Sequence, residues 1–271
     1  MDTATAAATG QVPADPAGLA GRTIPDVEFR ELADGQVRAV RAHELFGRGT
    51  AVLFALPGAF TPTCSNSHVP RFQQLAGELH SHGVDRIVCV SVNDPYVMAA
   101  WARAERADKI RFVADPEGTF TRELGMLVDR HGAGLGQRSR RYSALVRDGA
   151  IVKAFVEPET GGDPYTVSDA DTMLRFLDPQ SSAVRAVAML GREGCPHCAR
   201  ARRMLEEHGF AFEEIDLDDR ITIQTVRATS GRGTVPQVFV DGRHVGGADE
   251  LAAWLEREAG KVQGAVEAPT G

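Results

Sequence analysis

The sequence predicts an α/β protein of two domains, each a mixed β-sheet flanked by helices. Apolar runs of strand length alternate with amphipathic stretches, the usual pattern of a sheet covered by helices. Twice, such a run ends in a turn and a helix that starts beside a cysteine, at Cys64 and at Cys195. Between the two halves the pattern breaks at residues 178–182. We therefore expect a first domain at 22–178, a linker at 179–184 and a second domain at 185–260.

Composition excludes several classes of protein. The chain has 271 residues, of which 43% are hydrophobic and 25% charged, as in ordinary globular proteins. Its net charge of -7 argues against a nucleic-acid or anionic-membrane partner. No apolar run approaches the ~20 residues of a membrane span. Residues 1–21 lack the features of an export signal, so we expect disordered tails at 1–21 and 261–271 and a cytoplasmic protein.

The first cysteine follows a strand that we expect to be buried on both faces. The run Ala51–Leu56 carries no charge, and Pro57 ends it because proline cannot donate to a strand ladder. Pro62 suits the start of a helix, which places Cys64 in the first turn. Thr61 lies one turn earlier, where its hydroxyl is placed to donate to the sulfur or to a substrate oxygen.

This position predicts a reactive thiol at Cys64. An ordinary thiol is mostly protonated at neutral pH because its pKa is about 8.5. Helix N-termini and neighbouring cations favour the thiolate, which is the nucleophilic form. The alternative is a cysteine that only packs in the core, as many free cysteines do. The turn before Cys64 and the helix start favour the reactive interpretation.

The motif P-x-x-x-T-x-x-C, formed by Pro57, Thr61 and Cys64, resembles the active site of peroxiredoxins. The longer string PGAFTPTCSNSHVPRF resembles the peroxiredoxin-5 subfamily, and the similarity extends over roughly residues 22–178. This resemblance implies a thioredoxin fold with Cys64 as the peroxidatic nucleophile. It further implies that Thr61 and Arg141 activate the cysteine and that Pro57 shields it from water.

The rest of the first domain follows the same alternation. Asp148-Gly149 between two apolar runs is a strong signal for a two-residue hairpin. Residues 129–141, rich in glycine and arginine, are expected to form a loop, with Arg141 just before a strand. Cys89 lies in the middle of an apolar strand and is expected to pack inertly. The expected elements are strands at 86–92, 111–113, 142–147 and 150–155, a helix at 95–107, and a helix at 169–177 capped by Ser168.

The second domain repeats the strand-to-helix junction. A strand at 186–190 leads to Cys195-Pro196-His197-Cys198, and the following helix ends near Gly209. Half of a zinc site is the alternative for such a C-x-x-C pair, but no further ligands occur at useful spacing, so we expect no metal. We expect Cys195, at the helix start, to be the thiolate and Cys198 its buried partner. Further strands are expected at 210–216 and 237–240, and a closing helix at 248–259.

Residues 185–260 resemble glutaredoxin through C-P-x-C, T-V-P and G-G-x-D. The resemblance implies that Cys195 takes glutathione, with Pro236 as a cis-proline facing it. Val235 would then hydrogen-bond the tripeptide backbone. Asp249 would meet the γ-glutamyl amine, and Arg192 the glycyl carboxylate.

The two sites together predict a glutathione-dependent thiol peroxidase that reduces hydrogen peroxide and alkyl hydroperoxides. A cysteine sulfenic acid must be reduced by another thiol, and the first domain offers no obvious resolving cysteine. The second domain would supply that step, with glutathione as co-substrate and no cofactor.

Two other functions stay open from the sequence. One is a general protein-disulfide reductase or deglutathionylase, and the other is a redox sensor, each with a non-peroxidatic first domain. The resemblance to peroxiredoxins implies a homodimer or larger homo-oligomer formed through the first domain. The linker spans at most ~20 Å, which leaves two alternatives open: Cys195 acts on Cys64 of its own chain, or on Cys64 of a neighbouring subunit that is easier to reach.

Overall fold

The computed structural model describes residues 18–159, 162–181 and 185–266, with side chains as far as residue 258. The chain divides into two compact units, Met1–Pro179 and Gln180–Gly271. Both are mixed sheets flanked by helices, as predicted. None of the helices in the described ranges has both the length and the apolar character needed to cross a bilayer.

The first unit is built on a central mixed sheet. Its strands are β1 (Glu28–Ala33), β2 (Gln36–Arg41), β3 (Thr50–Ala55), β4 (Arg86–Ser91), β5 (Arg111–Ala114), β8 (Tyr142–Arg147) and β9 (Ala150–Val156). Their order across the sheet is β2-β1-β5-β4-β3-β8-β9. β3, β4 and β5 are parallel, and the outer strands run antiparallel. Two short strands, β6 (Leu127–Asp129) and β7 (Gln137–Ser139), pair separately.

Helices cover both faces of this sheet. They are α1 (Ala42–Phe46), α2 (Val69–Ser81), α3 (Pro95–Ala104), α4 (Thr119–Glu123) and α5 (Ala170–Leu177). β3 is buried on both faces, as its uncharged sequence predicted. On one face Leu53 joins the main apolar core. On the other, Phe54 stacks on Phe72 of α2 with ring centroids 4.3 Å apart, which fixes α2 against the strand that leads to Cys64.

The structure differs from the sequence predictions at several places in this unit. The β1–β2 hairpin, α1 and α4 were not predicted, and the expected loop at 129–141 contains β7 and a single 3-10 turn at His131–Ala133. Ser168 does not cap α5. Asp169 does so, accepting a hydrogen bond from the Thr172 backbone N–H at 2.8 Å.

The expected N-terminal tail is also shorter than predicted. Leu19 is fully buried, and the Gly21 backbone N–H donates to the Ile151 carbonyl at 2.8 Å. Residues 18–21 are therefore part of the packed unit. Residues 1–17 lie outside the described residues.

The second unit has a sheet with strand order β11-β10-β12-β13. Its strands are β10 (Val187–Gly191), β11 (Phe212–Asp216), β12 (Gln237–Val240) and β13 (Arg243–Gly246), and its helices are α6 (Pro196–Glu207), α7 (Ile223–Ser230) and α8 (Ala248–Val266). β10 and β11 are parallel, and β12 runs antiparallel to β10. The last helix, α8, ends at Val266, whereas the sequence analysis predicted that the domain ends at residue 260. Residues 267–271 are not among those described.

Candidate active site

Cys64 lies at the start of the helical segment that follows β3. The helix begins at Pro62 and is π-helical over Cys64–His68, with the Val69 backbone N–H donating to the Cys64 carbonyl. The preceding turn is held by Asn93, whose side-chain oxygen accepts a hydrogen bond from the Ala59 backbone N–H at 3.0 Å. This arrangement places the sulfur at a helix N-terminus, as predicted.

The sulfur of Cys64 is fully buried between a hydroxyl and a guanidinium. Thr61 Oγ1 lies 2.8 Å from Sγ and 2.9 Å from the Gly58 carbonyl oxygen. A hydroxyl has one proton, so Thr61 donates either to the carbonyl or to the sulfur. With a thiolate at Cys64, donation to the sulfur is favoured because a charged acceptor binds the proton more strongly.

Arg141 supplies the positive charge of the site. It lies just before β8, and its side chain is 2% exposed. Nη1 lies 3.4 Å from Cys64 Sγ and 3.1 Å from His68 Nδ1. Nη2 donates to both carboxylate oxygens of Asp163, at 2.6 and 2.7 Å. A guanidinium held this close to the sulfur stabilises the negative charge of a thiolate.

His68 positions Arg141 and remains neutral. Its Nε2 lies 3.1 Å from the Ser168 carbonyl oxygen, which can only accept, so Nε2 carries the proton. Nδ1 is therefore free to accept from Arg141. Burial, together with the charge of Arg141, lowers the pKa of His68 to about 3. The histidine thus orients the guanidinium without adding positive charge.

Glu157 anchors the segment that contacts these residues. Its carboxylate accepts hydrogen bonds from the backbone N–H groups of Thr166, Val167 and Ser168, at 2.8 to 2.9 Å. Two hydroxyls, of Thr166 and Ser168, donate to it at 2.8 Å. Burial opposes ionisation of Glu157, but these hydrogen bonds lower its pKa. The carboxylate therefore fixes the Ser168 carbonyl that orients His68.

Pro57 is buried at the end of β3 and borders a small cleft beside Arg141. The charged residues of that cleft are Arg130, Arg140, Arg141, Glu157, Glu159 and Asp163. Cys64 is not among the residues that line this cleft. The position of Pro57 is compatible with its expected shielding role.

Cys89 is fully buried in the middle of β4. Burial, with the charge of Cys64, raises its pKa well above the ordinary thiol value. It is therefore a protonated packing residue, as expected.

In the second unit, Cys195 caps the N-terminus of α6. Its Sγ accepts a hydrogen bond from the Cys198 backbone N–H at 3.3 Å. Burial works against ionisation, but hydrogen bonds from Cys198 and the His197 backbone, with the charge of Arg192, lower the pKa of Cys195. Burial and the bond to Cys195 raise the pKa of Cys198 to about 11. The pair is thus divided into an ionisable, partly exposed thiol and a buried one.

Of the residues expected to hold glutathione, Val235 lies beside Cys195. The Val235–Pro236 peptide bond is cis, and Cys195 Sγ lies 3.9 Å from the Val235 carbonyl oxygen. Asp249 is in the first turn of α8, is 86% exposed, and pairs with Arg200 at 2.7 Å. Among the residues that the structure describes, no group of three or more His, Cys, Asp or Glu side chains is placed to hold a metal ion.

Comparisons with known proteins match both halves of the chain. The Redoxin family model matches residues 19–174, and the Glutaredoxin model matches residues 187–245. The hybrid peroxiredoxin hyPrx5 of Haemophilus influenzae is 48% identical over 237 residues, covering 88% of this chain and 98% of that protein. The chain belongs to the hybrid peroxiredoxin family.

Other relatives of this hybrid peroxiredoxin match its first unit. Peroxiredoxin-2B of Arabidopsis thaliana is 45% identical over 160 residues, covering 58% of this chain and 96% of that protein. The crystal structure of reduced Prx3 from Vibrio vulnificus in complex with H2O2 aligns with a TM-score of 0.56 and 40% identity, covering 59% of this chain and 98% of that one. The resemblances seen in the sequence are therefore confirmed at the level of family and fold.

Several residues around the two cysteine sites of the hybrid peroxiredoxin were not predicted from its sequence, among them His68, Asp163 and Arg200. His68 lies about one helical turn after Cys64, and that spacing was the one available signal for it. Asp163 and Arg200 gave no such signal, because their partners Arg141 and Asp249 are distant in the chain.

Proposed function

We propose that this hybrid peroxiredoxin is a glutathione-dependent peroxidase in which Cys64 reduces hydrogen peroxide and alkyl hydroperoxides. The observation that carries the proposal is the double contact of the Cys64 sulfur, with Thr61 Oγ1 at 2.8 Å and Arg141 Nη1 at 3.4 Å. A hydroxyl that can donate and a fixed cation are the groups that a thiolate nucleophile and a developing alkoxide require.

The first step oxidises Cys64. The thiolate attacks the terminal oxygen of R-O-O-H, a sulfur–oxygen bond forms, and the oxygen–oxygen bond breaks. The departing alkoxide takes a proton and leaves as an alcohol, or as water from hydrogen peroxide. Arg141 and Thr61 are placed beside the sulfur, where they stabilise charge that moves from sulfur to oxygen.

The second step consumes one glutathione. Its thiol condenses with the Cys64 sulfenic acid, releasing water and leaving a mixed disulfide on Cys64. Cys89 is not suited to replace glutathione here, because it is fully buried and its pKa is raised by that burial.

The glutaredoxin domain completes the cycle. The Cys195 thiolate attacks the glutathione sulfur of the mixed disulfide, which frees Cys64 and leaves glutathione on Cys195. A second glutathione then attacks that sulfur and departs as oxidised glutathione. Cys198 offers a second route: its sulfur attacks glutathionylated Cys195, expels that glutathione as the thiol and leaves a Cys195–Cys198 disulfide. Two further glutathione molecules reduce this disulfide and leave as oxidised glutathione. The lowered pKa of Cys195 supports its role as the attacking thiol.

Residue roles around glutathione follow the same proposal. Arg192 would pair with the glycyl carboxylate, and Val235 and Pro236 would meet the peptide backbone beside Cys195. Asp249 would bind the γ-glutamyl amine, in exchange for its contact with Arg200. We take 22–178 and 185–260 as the two catalytic domains, joined by 179–184, and the active form as a homodimer or larger homo-oligomer.

Peroxide loss with glutathione, glutathione reductase and NADPH as the only reducing system tests this function. Wild-type protein is expected to consume hydrogen peroxide and tert-butyl hydroperoxide with stoichiometric NADPH oxidation, and Cys64→Ser to consume neither. A Cys64→Ser variant that keeps its peroxidase activity would show that the first domain is not the peroxidatic one. Retained reduction of glutathionylated thiols by that variant is the control that the second domain is folded.

A further inference from the structure

Asp163 shares the guanidinium of Arg141 with Cys64. Arg141 contacts the Cys64 sulfur through Nη1, and it contacts both carboxylate oxygens of Asp163 through Nη2, at 2.6 and 2.7 Å. The Arg141 side chain is 2% exposed, whereas that of Asp163 is 40% exposed. The carboxylate therefore stands between the buried cation and solvent.

Asp163 is ionised at neutral pH. Partial burial works to raise its pKa, but hydrogen bonds from Arg141 and Thr63 and the charges of Arg141 and Arg130 lower it. With Cys64 as the thiolate of the proposed function, its sulfur and the Asp163 carboxylate carry two negative charges, and Arg141 carries one positive charge. His68 contributes none, since it is neutral. The innermost group of charges therefore has a net charge of one negative.

The surrounding cleft does not reverse this balance. Arg130 and Arg140 line it together with Glu157 and Glu159, so two positive charges meet two negative ones. Arg140 is itself paired with Glu159 at 3.1 Å. An anion entering this cleft meets no excess of positive charge, and the cation nearest the sulfur already holds a carboxylate.

We propose that Asp163 is a specificity-determining residue that makes Cys64 react faster with uncharged hydroperoxides than with anionic ones. The proposal rests on the proposed function of Cys64 as the peroxidatic nucleophile. An uncharged hydroperoxide approaches Arg141 without charge repulsion, whereas an anionic one is repelled by Asp163. If the charge of the substrate comes to about 7 Å from the Asp163 carboxylate, the Coulomb repulsion at an effective dielectric constant between about 20 and 80 slows the anion about 3- to 50-fold.

A matched pair of substrates isolates the effect. Cumene hydroperoxide and its para-carboxylate share one reacting group, so the same oxygen–oxygen bond breaks, the same sulfenic acid forms on Cys64, and each yields its alcohol. They differ in the remote negative charge. The ratio of their second-order rate constants for Cys64 oxidation, anionic over uncharged, therefore reports on charge selection.

The experiment compares this ratio in full-length wild-type protein, Asp163→Asn, Asp163→Glu and Asp34→Asn. Asp34 is 83% exposed on the β1–β2 turn, so Asp34→Asn removes the same charge from a distant site. We expect Asp163→Asn to raise the ratio about 3- to 50-fold. Asp163→Glu and Asp34→Asn should leave it within about twofold. Added salt should raise the ratio more in wild type than in Asp163→Asn.

The possible results distinguish a failure of the role of Asp163 from a failure of the proposed peroxidase function. An unchanged ratio in Asp163→Asn, with both peroxides still oxidising Cys64, overturns the role of Asp163 and leaves the peroxidase intact. Wild-type protein in which neither peroxide oxidises Cys64 overturns both. If Asp163→Asn does not fold, the wild-type protein still decides, because a ratio that does not respond to salt contradicts the proposal.

Discussion

The guanidinium of Arg141 and the sulfur of Cys64 are separated by 77 residues in the chain and by 3.4 Å in the folded protein. β3 delivers Cys64 to its helix, and β8, hydrogen-bonded directly to β3, starts beside Arg141. Because the two strands are adjacent, Arg141 and Cys64 are both positioned by the centre of the sheet. The site thus follows two strands that are largely buried, and the following expectations derive from its geometry.

Arg141→Lys should slow Cys64 oxidation strongly. Lysine keeps the charge but has one nitrogen, which cannot contact Cys64, His68 and Asp163 as the two terminal nitrogens of arginine do. Losing a charge-assisted hydrogen bond of about 1.5–3 kcal/mol corresponds to a roughly 10- to 150-fold lower rate constant. Rapid-mixing measurements of peroxide consumption check this. Wild-type rates in Arg141→Lys would show that charge alone is sufficient.

Thr61→Val should also impair the oxidation step, whereas Thr61→Ser should preserve most of it. Valine retains the shape of threonine but removes the hydroxyl that lies 2.8 Å from the sulfur. A fall of about 10-fold or more is expected for a lost donor to a charged group. The same rapid-mixing assay compares the pair of variants. Equal rates in the valine and serine variants would exclude the hydroxyl from the chemistry.

His68 should reduce the stability of the protein as the pH falls below about 6.5. Its pKa is about 3 in the folded protein, owing to burial and Arg141, against about 6.5 when unfolded. Between these values the unfolded chain binds more protons, so stability rises with pH by up to about 1.4 kcal/mol per pH unit. Urea unfolding of wild type and His68→Gln at pH 7, 6 and 5 checks this. The glutamine variant should have the shallower pH dependence, and identical slopes would contradict a buried neutral histidine.

Cys195 should be alkylated well before Cys198. The lowered pKa of Cys195 gives more thiolate near neutral pH, whereas the pKa of Cys198, raised to about 11, keeps that thiol protonated. Alkylation of Cys195 should reach half of its maximal rate at a pH below the ordinary thiol value, and that of Cys198 well above it. Mass spectrometry after timed iodoacetamide treatment in a pH series measures both sites. Equal rates at pH 7 would remove the distinction between nucleophile and partner.

The parts of the fold that local sequence determines were predictable. The uncharged run before Pro57 predicted β3, and Asp148-Gly149 predicted the hairpin of β8 and β9. The β1–β2 hairpin was missed although its turn is Asp34-Gly35, because most residues of β2 are exposed and give no apolar alternation. Ser168 and Asp169 are both good N-caps, and only the tertiary contact of Ser168 with Glu157 decides between them.

The candidate site also contains some residues that local sequence predicts and others that depend on contacts between distant segments. Cys64 and Thr61 are neighbours on one helical turn, so their pairing follows from spacing. Arg141, Val235 and Pro236 were predicted through resemblance to known families. Asp163 depends on contacts between distant segments, and no pattern in the chain indicates that its carboxylate meets Arg141.

The fate of oxidised Cys64 in the Cys195→Ser variant tests the central claim most directly. The variant and wild type each receive one equivalent of hydrogen peroxide and then excess glutathione, and the state of Cys64 is followed over time by mass spectrometry. We expect Cys64 of the variant to accumulate as the mixed disulfide with glutathione, while wild-type Cys64 returns to the free thiol. Return of Cys64 to the thiol at the same rate in both proteins would contradict the role of the glutaredoxin domain as its reductant.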